Sequence, residues 1–561
     1  MKKTKTWILR GVATLVWAFV VFYVTLPPLN PTAPAFWEFL FWVAAFFVVT
    51  LFFGHRRSEG FLSKLTDAAG KKGGNFLEHA RTSSKKLGKG WKIAIGCVVA
   101  VAAVIAVVDL VQSPLFNAKA YHNRITIAQD GNFTEDVQQV DFSQIPLLDR
   151  ASSEKLGDRV MGQMTEWVSQ FTVSDRYTQI NFNNDIIRVT PLEYADWIKY
   201  FTNRSEGIKG YITVNSVTGA AELVRLEQGM RYMPSAMFFE NLERKLRFTY
   251  PTTIFGEANF EIDNEGHPYW IIPTMKYVGV GLRKDVSGAV ILDPITGEST
   301  RYAVEDIPTW VDQVYPTDLI VEQVDNWGQY VNGFWNSLFG QKNVVVTTQG
   351  YNYTVMKDDV YMYTGITSAA ADQSIVGFIL CNLRTKDTVF YEVSGAEEYS
   401  AMASAEGQVQ QMKYTASFPL LINLNDRPTY LMSLKDNSDL VKMYAFVDVV
   451  DYQKVVVTDM TQGIEAAAAN YLAQFGSDDS GTDQTDDQTP VETQKKEITI
   501  ASIATASIDG TSHYYLTDTD GNKYVASVKV SQNTIPFWKA GDKVTIGYTK
   551  ESDVTEITTV Y

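Results

Sequence analysis

Three long runs of apolar residues open the chain, and they are the strongest pattern in the sequence. They cover residues 7–26, 36–53 and 91–111, and each is about as long as the roughly 20 residues that a bilayer core requires. A signal peptide also places basic residues before an apolar core, but no small-x-small cleavage site follows the first run. The pattern therefore predicts a three-helix transmembrane segment over residues 1–111.

Basic residues lie on one side of this predicted segment. The loop 54–90 separates the second and third runs, and residues 54–92 hold ten Lys/Arg against three acids. Positive charge in short loops marks the cytoplasmic side of a membrane, and the N-terminus is basic too. The predicted protein is thus multi-pass in the cell membrane, with a cytoplasmic N-terminus and a large extracellular C-terminal region.

The next part of the chain, residues 112–190, reads as a stalk followed by a helical region. Apolar residues recur at spacings of three and four over 153–171, which predicts a helix capped by Ser152 or Ser153. A second helix is predicted over 191–203, because Pro suits the first turn of a helix.

Helices followed by hairpins then recur along the chain. Residues 207–226 read as strand, turn and strand. After a predicted helix at 235–248, alternating apolar residues flank the turn at Asp263–Gly266, and a strand at 288–300 enters a Pro/Gly turn. The same plan returns from a predicted helix at 396–413 onward. This weak internal similarity predicts an α+β outer region of repeated helix-plus-antiparallel-sheet units.

These hairpins resemble the PepSY-type module, a helix packed on a small antiparallel sheet in bacterial envelope proteins. The residues that carry the resemblance are Ile262-Asp263, Pro268-Tyr269-Trp270, Val290–Asp293, Thr296-Gly297 and Gly210–Gly219. The likeness covers residues 190–310 and, more loosely, 396–458. It implies an extracytoplasmic binding or regulatory role, often linked in that family to peptidases or cell-wall enzymes, and it supplies no catalytic residues. The predicted units are 191–310 and 311–475.

Two further segments complete the predicted organisation. Residues 322–340 have apolar residues at helical spacing and end at Gly340, which predicts a helix. Without the basic face of an interfacial helix, it is expected to pack in the core, and a partner-binding or membrane-lying helix is the alternative. Residues 476–496 are acidic and nearly free of apolar side chains, which is typical of a flexible linker. Residues 497–561 show short strands between turns and predict a small all-β barrel of the OB or SH3-like kind.

Charge and cysteine content narrow the class of protein. The net charge of −15 averages an excess of nine positive charges in residues 1–110 and −24 in residues 111–561. So acidic an outer region argues against nucleic acid as a partner. The two cysteines, Cys97 and Cys381, lie too far apart in the chain to suggest a pair. A large outer region without disulfides fits a bacterial envelope better than an animal secretory route.

The sequence offers no assembled chemistry. Outside the membrane segment only three histidines occur, and no GxSxG accompanies them. We therefore predict no catalytic, metal-binding or cofactor-binding residues. Acidic pairs at 263/265, 358/359 and 397/398 keep open an alternative, an enzyme acting on cell-wall polymer through paired carboxylates.

The favoured interpretation is a non-enzymatic, membrane-anchored envelope protein whose outer region binds or regulates another membrane or cell-wall protein. A structural subunit of a larger membrane complex is the remaining alternative. Large, stiff, amphipathic aromatic side chains are the usual anchors of an interface. Tyr269 and Trp270, just past a hairpin turn, and Trp310, after a Pro break, are accordingly the candidate binding residues.

Overall fold

The computed structural model places the chain in two compact units, residues 1–477 and 478–561. It describes residues 2–53, 89–356, 358–369, 371–475, 494–508, 511–527, 535, 538–548, 554–557 and 559–560. The predicted cytoplasmic loop, except for its last residues, and the predicted linker up to residue 493 lie outside the described residues.

Helices form at all three apolar runs. They are α1 (Lys2–Thr25), α2 (Pro34–Phe53) and α3 (Lys89–Gln112), and α4 (Pro114–His122) follows α3. Among the described helices, one passes as a membrane span by length and composition, Trp7–Thr25. The bent pair Val98–Gln112 and Pro114–His122, at 49°, passes only if taken together, and the apolar helix Pro34–Thr50 is shorter. The chain therefore carries an N-terminal apolar helix that suits a membrane anchor or a signal sequence.

Antiparallel sheets dominate the rest of the first unit, after β1 (Ile127–Gly131) and α5 (Phe133–Asp136). Four stretches of the described chain share one plan. A helix precedes two short strands that both pair with one long strand, and two further strands extend the sheet. We call these stretches repeats A to D.

The bounds of the first two repeats are as follows. Repeat A has α6 (Arg150–Gln163), β2 (Phe171–Val173), β3 (Thr178–Phe182), β4 (Asp185–Tyr194), α7 (Trp197–Asn203), β5 (Ile208–Asn215) and β6 (Ala221–Met230). Repeat B has α8 (Leu242–Thr249), β7 (Ile254–Phe255), β8 (Asn259–Ile262), β9 (Pro268–Val278), β10 (Leu282–Leu292) and β11 (Ser299–Tyr302).

The other two repeats follow the same order. Repeat C has α9 (Thr317–Gln329), β12 (Val345–Thr347), β13 (Asn352–Met356), β14 (Asp359–Ser368), β15 (Ala371–Asn382) and β16 (Thr388–Tyr391). After β17 (Gly395–Ala396), repeat D has α10 (Glu398–Gln408), β18 (Thr415–Ala416), β19 (Leu420–Leu424), β20 (Arg427–Lys435), β21 (Val441–Asp448) and β22 (Val455–Asp459). The helix α11 (Ile464–Phe475) packs on β21 and β22.

The turn between the fourth and fifth strands is the same in all four repeats. It starts at Asn215, Asp293, Asn382 and Asp448, whose side-chain oxygens accept hydrogen bonds from the backbone N–H groups two and three residues further on, at 2.7 to 3.3 Å. Asn and Asp favour turns because a short side chain with an oxygen can mimic a backbone carbonyl in this way. The repetition therefore extends from topology to individual hydrogen bonds.

Each hydrophobic core is shared between neighbouring repeats. One core joins the sheets of repeats A and B, a second joins B to C, and a third joins C to D. A single sheet would leave one apolar face exposed, so each repeat depends on its neighbours for burial.

The predicted hairpins of repeats A, B and D are confirmed, whereas two predicted helix boundaries are wrong. The first helix begins at Arg150, where Asp149 rather than a serine caps it, with its Oδ1 accepting from Ser152 N–H at 2.9 Å. The segment expected to be a helix from Pro191 is the end of β4, and only Trp197–Asn203 is helical. Nearly every residue of β4 is buried, and a strand covered on both faces lacks the alternation that identifies it.

The predicted helix 322–340 is also interrupted. The helix α9 ends at Gln329, Gly333 adopts a φ of 84°, and a separate π-turn covers Asn336–Gly340. Only the first half packs in the core; Trp335 and Phe339 are 62% and 79% exposed. Similarly, the helix expected at 235–248 is a 3₁₀ turn followed by α8, and that at 396–413 is α10 followed by a 3₁₀ turn.

A buried arginine connects repeat B to the apolar N-terminal helices. Arg247, on α8, is 6% exposed, and its Nε donates to the carbonyl oxygen of Leu26 at 2.9 Å. Its Nη1 donates to the carbonyl oxygens of Thr253 at 2.6 Å and of Tyr250 and Pro251 at 3.4 Å. Burial without a carboxylate partner lowers the pKa of Arg247 to about 10.

Two backbone contacts from the β9–β10 turn also join repeat B to the apolar helices. Together with the hydrogen bonds of Arg247 they form what we call the clamp. Gly281 N–H donates to the carbonyl oxygen of Thr32 at 2.9 Å, and Val280 N–H donates to Asp109 Oδ1 on α3 at 2.8 Å. Gly281 has a φ of 79°, and a Cβ there would lie 2.8 Å from a ring carbon of Pro34. Only glycine allows so close an approach. Repeat B therefore holds both the α1–α2 turn and the end of α3.

The second unit is one sheet of six described strands with its own core. The strands are β23 (Gln494–Ile508), β24 (Thr511–Asp518), β25 (Lys523–Ser527), β26 (Lys543–Tyr548), β27 (Thr555–Glu556) and β28 (Thr559–Val560), in the order β27-β25-β24-β23-β26-β28. The long strand β23 pairs with β26 through its first half and with β24 through its second. The predicted strand content is confirmed, and closure into an OB or SH3-like barrel stays a prediction.

Replacing Arg247 with Lys should loosen the clamp. A lysine ammonium keeps the charge but does not reproduce the planar set of donors, so at least one buried carbonyl loses its partner at a cost of about 2 kcal/mol. We expect a lower melting temperature of the detergent-solubilised full chain. The exposed Arg301→Lys is the matched control, and equal melting temperatures for the two variants would contradict a structural role for the clamp.

Candidate functional site

The turn between β8 and β9 separates two recesses on the surface of repeats A and B. Asp263 Oδ1 accepts hydrogen bonds from the N–H groups of Glu265 at 3.1 Å and His267 at 2.8 Å, which closes the turn. The Tyr211 hydroxyl, on β5 of repeat A, donates to the carbonyl oxygen of Gly266 at 2.8 Å. This tyrosine joins the turn to the neighbouring repeat, so both recesses have a fixed wall.

The larger recess is a groove of about 990 Å³ along β6. The groove residues from β6 and the residue before it are Ala220, Ala221, Glu222, Val224, Arg225, Leu226, Glu227 and Gln228. Successive side chains of a strand point to opposite faces of its sheet. A recess bounded by so many consecutive residues therefore follows the edge of the strand rather than one face. In the described part of the chain, β6 is the last strand of its sheet.

Opposite β6, the groove wall comes from the turns of repeat B, at 265–267 and 295–296. Phe182, Ile262 and Ile295 supply apolar surface, whereas the charged groups are mostly acidic. The charged and titratable residues that line the groove are Asp185, Glu222, Arg225, Glu227, Glu265 and His267. The groove thus combines an apolar interior with an acidic rim.

The smaller recess, of about 310 Å³, is polar. Its lining residues are Asn181, Asn183, Asn184, Asn264, Thr309, Trp310, Asp312 and Asp358. Asn181 donates a hydrogen bond to Asp358 Oδ1, and Asn183 donates to the carbonyl oxygen of Asn264 at 3.3 Å. Three repeats meet here, because these residues come from A, B and C.

The structure brings two of the three predicted binding residues together. The rings of Tyr269 and Trp310 are 5.1 Å apart, and His267 lies 4.9 Å from Tyr269 on its other side. Both predicted aromatic residues are half-buried, and Trp310 lines the polar recess. Trp270 is different, since it is fully buried and its indole N–H donates to the carbonyl oxygen of Tyr232 at 3.0 Å. Trp270 therefore serves the core and offers no surface to a partner.

A buried acidic pair behind the polar recess was not predicted. Glu261 is fully buried and accepts hydrogen bonds from the N–H groups of Asp312 at 2.9 Å and Gln313 at 3.0 Å. Burial raises the pKa of Glu261 to about 8, and burial together with the neighbouring Glu261 raises the pKa of Asp312 well above its usual range. The sequence gives no signal for this pair, because Glu261 alternates with the apolar Phe260 and Ile262 in β8 and so occupies the face that usually meets solvent.

Raised carboxyl pKa values often mark catalytic acids, but Glu261 is fully buried, and Asp312, although it lines the recess, is only 2% exposed. Glu261 uses both oxygens to hold the 312–313 backbone, and Asp312 Oδ2 accepts from Asn181 N–H at 2.8 Å. What the geometry supports is a structural role, in which the pair fixes the segment that carries Trp310.

The acidic pairs noted in the sequence also have structural partners. Asp359 accepts two hydrogen bonds from Arg384, from Nε at 2.8 Å and from Nη2 at 2.7 Å. Glu398 is buried and accepts a hydrogen bond from Gly365 N–H at 2.8 Å. Cys381 is fully buried, which raises the pKa of its thiol to about 12 and disfavours the reactive thiolate. Among the described residues, no group of three or more His, Cys, Asp or Glu side chains could hold a metal ion.

Comparison with known proteins adds little. No protein-family model and no curated protein matches the sequence. A crystal structure of an ACO/RPE65 chimera is 9% identical over 50% of this chain and 46% of its own, with a TM-score of 0.12. A Trypanosoma rangeli sialidase is 8% identical over 69% of this chain and 53% of its own, with a TM-score of 0.14. The chain spans about half the length of either protein, and TM-scores this low carry no argument.

The buried pair predicts a pH dependence of stability. A carboxyl group whose folded pKa is raised, from 4.5 to about 8 for Glu261, costs no stability at low pH and destabilises the folded state as pH rises between these two values. The slope is about 1.4 kcal/mol per pH unit for one group. Wild type should therefore lose stability relative to Glu261→Gln between pH 5 and pH 8.

Chemical denaturation of both proteins at pH 5, 6.5 and 8 measures this difference. In Glu261→Gln the side-chain NH2 group faces a backbone N–H that a carboxylate oxygen accepts from in wild type. Two donors then oppose each other, which lowers the stability of the variant by an amount that does not change with pH. Only the trend with pH is therefore diagnostic. The exposed Glu305→Gln is the control, and a difference between wild type and Glu261→Gln that stays constant with pH would contradict the buried, protonated pair.

Proposed function

We propose that this protein is a membrane-anchored bacterial envelope protein whose outer repeats bind another membrane or cell-wall protein. In this proposal α1, α2 and α3 all cross the membrane, the N-terminus and the 54–90 loop are cytoplasmic, and the remainder is extracellular. The excess of basic residues in 1–110 supports this orientation. The clamp adds support, because repeat B contacts the turn and the helix end that this topology places at the outer surface.

The pairing of β1 with β16 is the observation that carries the binding proposal. The strand β1, from the stalk, lies parallel to β16, with Ile127 opposite Thr388 and Ala128 opposite Val389. It thereby adds a strand to the fifth strand of repeat C. In repeat A the fifth strand is β6, which ends its sheet beside the groove. The fold therefore already uses this position to take up an extended segment.

Addition of a strand to an exposed edge is a recurrent mode of peptide recognition. Backbone hydrogen bonds supply affinity, and pockets for alternate side chains supply specificity. At β6, the regular register with β5 runs from Ala221 to Arg225, long enough for a short extended segment. The apolar interior and acidic rim of the groove favour a segment with apolar and basic side chains.

The resemblance to PepSY-type modules agrees with this proposal. It implies an extracytoplasmic binding or regulatory role, and the repeats share the plan of a helix packed on an antiparallel sheet. The second unit, which we propose is an OB or SH3-like barrel, would add a further binding module on the same side of the membrane.

Site-specific photo-crosslinking in intact cells tests the groove. A benzoylphenylalanine at Gln228, an exposed groove residue, should trap an envelope partner, and the crosslinked peptide should map to an extended segment with apolar and basic residues. The same probe at Gln453, exposed on repeat D, is the matched control. Equal trapping at both positions, or none at Gln228, would reject the groove as the binding site.

Charge reversal supplies a second, independent test. The double variant Glu222→Arg and Glu227→Arg places like charges against a basic segment, so crosslinking through Gln228 should fall several-fold. Reversal of the exposed Glu305 and Asp451, which lie away from the groove, should leave the yield unchanged. An unchanged yield from the groove variant would show that its acidic rim does not select the partner.

The topology has its own test. Protease added to wall-stripped intact cells should remove a C-terminal tag and spare an N-terminal tag, because the predicted membrane segment separates the two compartments. A protected C-terminal tag would overturn the proposed localisation.

A further inference from the structure

A cluster of exposed aromatic and aliphatic side chains lies on repeat A and the start of repeat B. The members of this cluster, the aromatic patch, are Trp197, Ile198, Phe201, Phe238, Phe239 and Phe248, which are 37% to 63% exposed. Isolated exposed apolar residues are ordinary, but a contiguous set marks an interaction surface.

Ring contacts connect the patch to the outer end of α1. Within the patch, Trp197 lies 6.4 Å from Phe201, which lies 6.1 Å from Phe238, the neighbour of Phe239. Phe239 then lies 5.9 Å from Tyr23. In a second link, Phe248 lies 5.4 Å from Phe22. The patch is therefore continuous with the last turn of the apolar helix.

Local structure holds these side chains outward. Asp196 caps α7, with its Oδ1 accepting from the N–H groups of Ile198 and Lys199 at 2.7 and 3.0 Å. Tyr200, in the same helix, is fully buried and anchors it, because its hydroxyl donates to Glu240 at 2.7 Å. Phe238 adopts a φ of 53°, a conformation that bulky residues rarely adopt. The surrounding structure therefore imposes the outward position of Phe238.

Charge around the patch differs from that of the outer region as a whole. Residues 196–204 and 238–249 together carry five basic residues, of which Arg247 is buried, and three acids, whereas residues 111–561 carry a net −24. Arg244 lies among them, 4.3 Å from the ring centre of Tyr23. An aromatic surface with interspersed Arg and Lys side chains matches the interfacial zone of a bilayer.

We propose that the aromatic patch inserts into the interfacial zone of the outer leaflet, beside the emerging end of α1. This inference rests on the proposed membrane crossing of α1. The ring contacts to Phe22 and Tyr23 place the patch where lipid headgroups surround that helix. Lipid, rather than a soluble partner, is the occupant that this position favours. The contact would fix the tilt of repeats A and B against the membrane, in addition to the clamp at Arg247.

Spin-label accessibility in nanodiscs of phosphatidylethanolamine and phosphatidylglycerol tests the inference with the full chain. The background carries Cys97→Ser, and Cys381 is fully buried and stays unlabelled. Labels are placed one at a time at Phe201→Cys, at Leu15→Cys on α1, and at Val450→Cys, an exposed apolar position on repeat D. Oxygen concentrates in lipid and a nickel complex stays in water, so collision rates with each report the surroundings of the label.

We expect the labels at positions 201 and 15 to collide more with oxygen, and the label at 450 to collide more with nickel. Suppose instead that the label at 201 collides more with nickel, as at 450, while the label at 15 collides more with oxygen. That result overturns insertion of the aromatic patch into lipid and leaves α1 as the membrane anchor. A label at 201 shielded from both reagents also overturns it, because a protein then covers the patch. A label at 15 in water removes the proposed anchor itself, and with it the inference.

Discussion

The junction between repeat B and the apolar helices depends on a buried guanidinium. Arg247 presents its donors to four carbonyl groups, one from the α1–α2 turn and three from its own loop. No carboxylate among the described residues neutralises it, so its charge is stabilised by carbonyl dipoles and by the Phe255 ring, whose centre lies 5.2 Å from Cζ. Burial correspondingly lowers its pKa. An exposed ion pair would tolerate other geometries at little cost, whereas a desolvated arginine requires all of its acceptors to remain in place. This requirement makes the junction between repeat B and the apolar helices specific as well as stable.

From that junction the chain extends as a series of similar repeats. In repeats A, B and C the common turn also closes with a backbone hydrogen bond from the fifth residue to the first, at 2.9 Å for Gly219 and Asn215, 2.8 Å for Gly297 and Asp293, and 2.9 Å for Lys386 and Asn382. Because neighbouring repeats share each core, stability is a sum of repeat and interface terms, as in other repeat proteins. Loss of one repeat would expose the faces of two others. Each repeat is therefore stabilised by its neighbours even though the architecture is modular.

Local signals in the sequence predict much of this fold, whereas contacts between residues far apart in the chain leave no such signal. The hairpins of repeats B and D follow from turn residues and alternation, and the apolar helices from length alone. Repeat C was missed because its common turn has Lys386 at a φ of 70° where repeats A and B have glycine at 76° and 75°, so the Thr-Gly signature is lost. Tyr269 and Trp270 are adjacent in a strand, and only the tertiary packing decides which one is exposed. The pairing of Glu261 with Asp312 joins residues 51 positions apart, beyond any periodic pattern.

The fifth strand of each repeat poses the same physical problem, an edge with unpaired backbone groups. Such edges invite uncontrolled association, and proteins cover or modify them. In repeat C, β1 pairs with β16 and covers this edge. In repeat A, β6 instead carries charged residues, and its register with β5 becomes irregular after Arg225. These features discourage indiscriminate pairing while the first five residues stay regular. In the proposed binding mode, an edge guarded by charge stays open to a segment of complementary charge. The constraint that the fold must satisfy at this edge would then also select the partner.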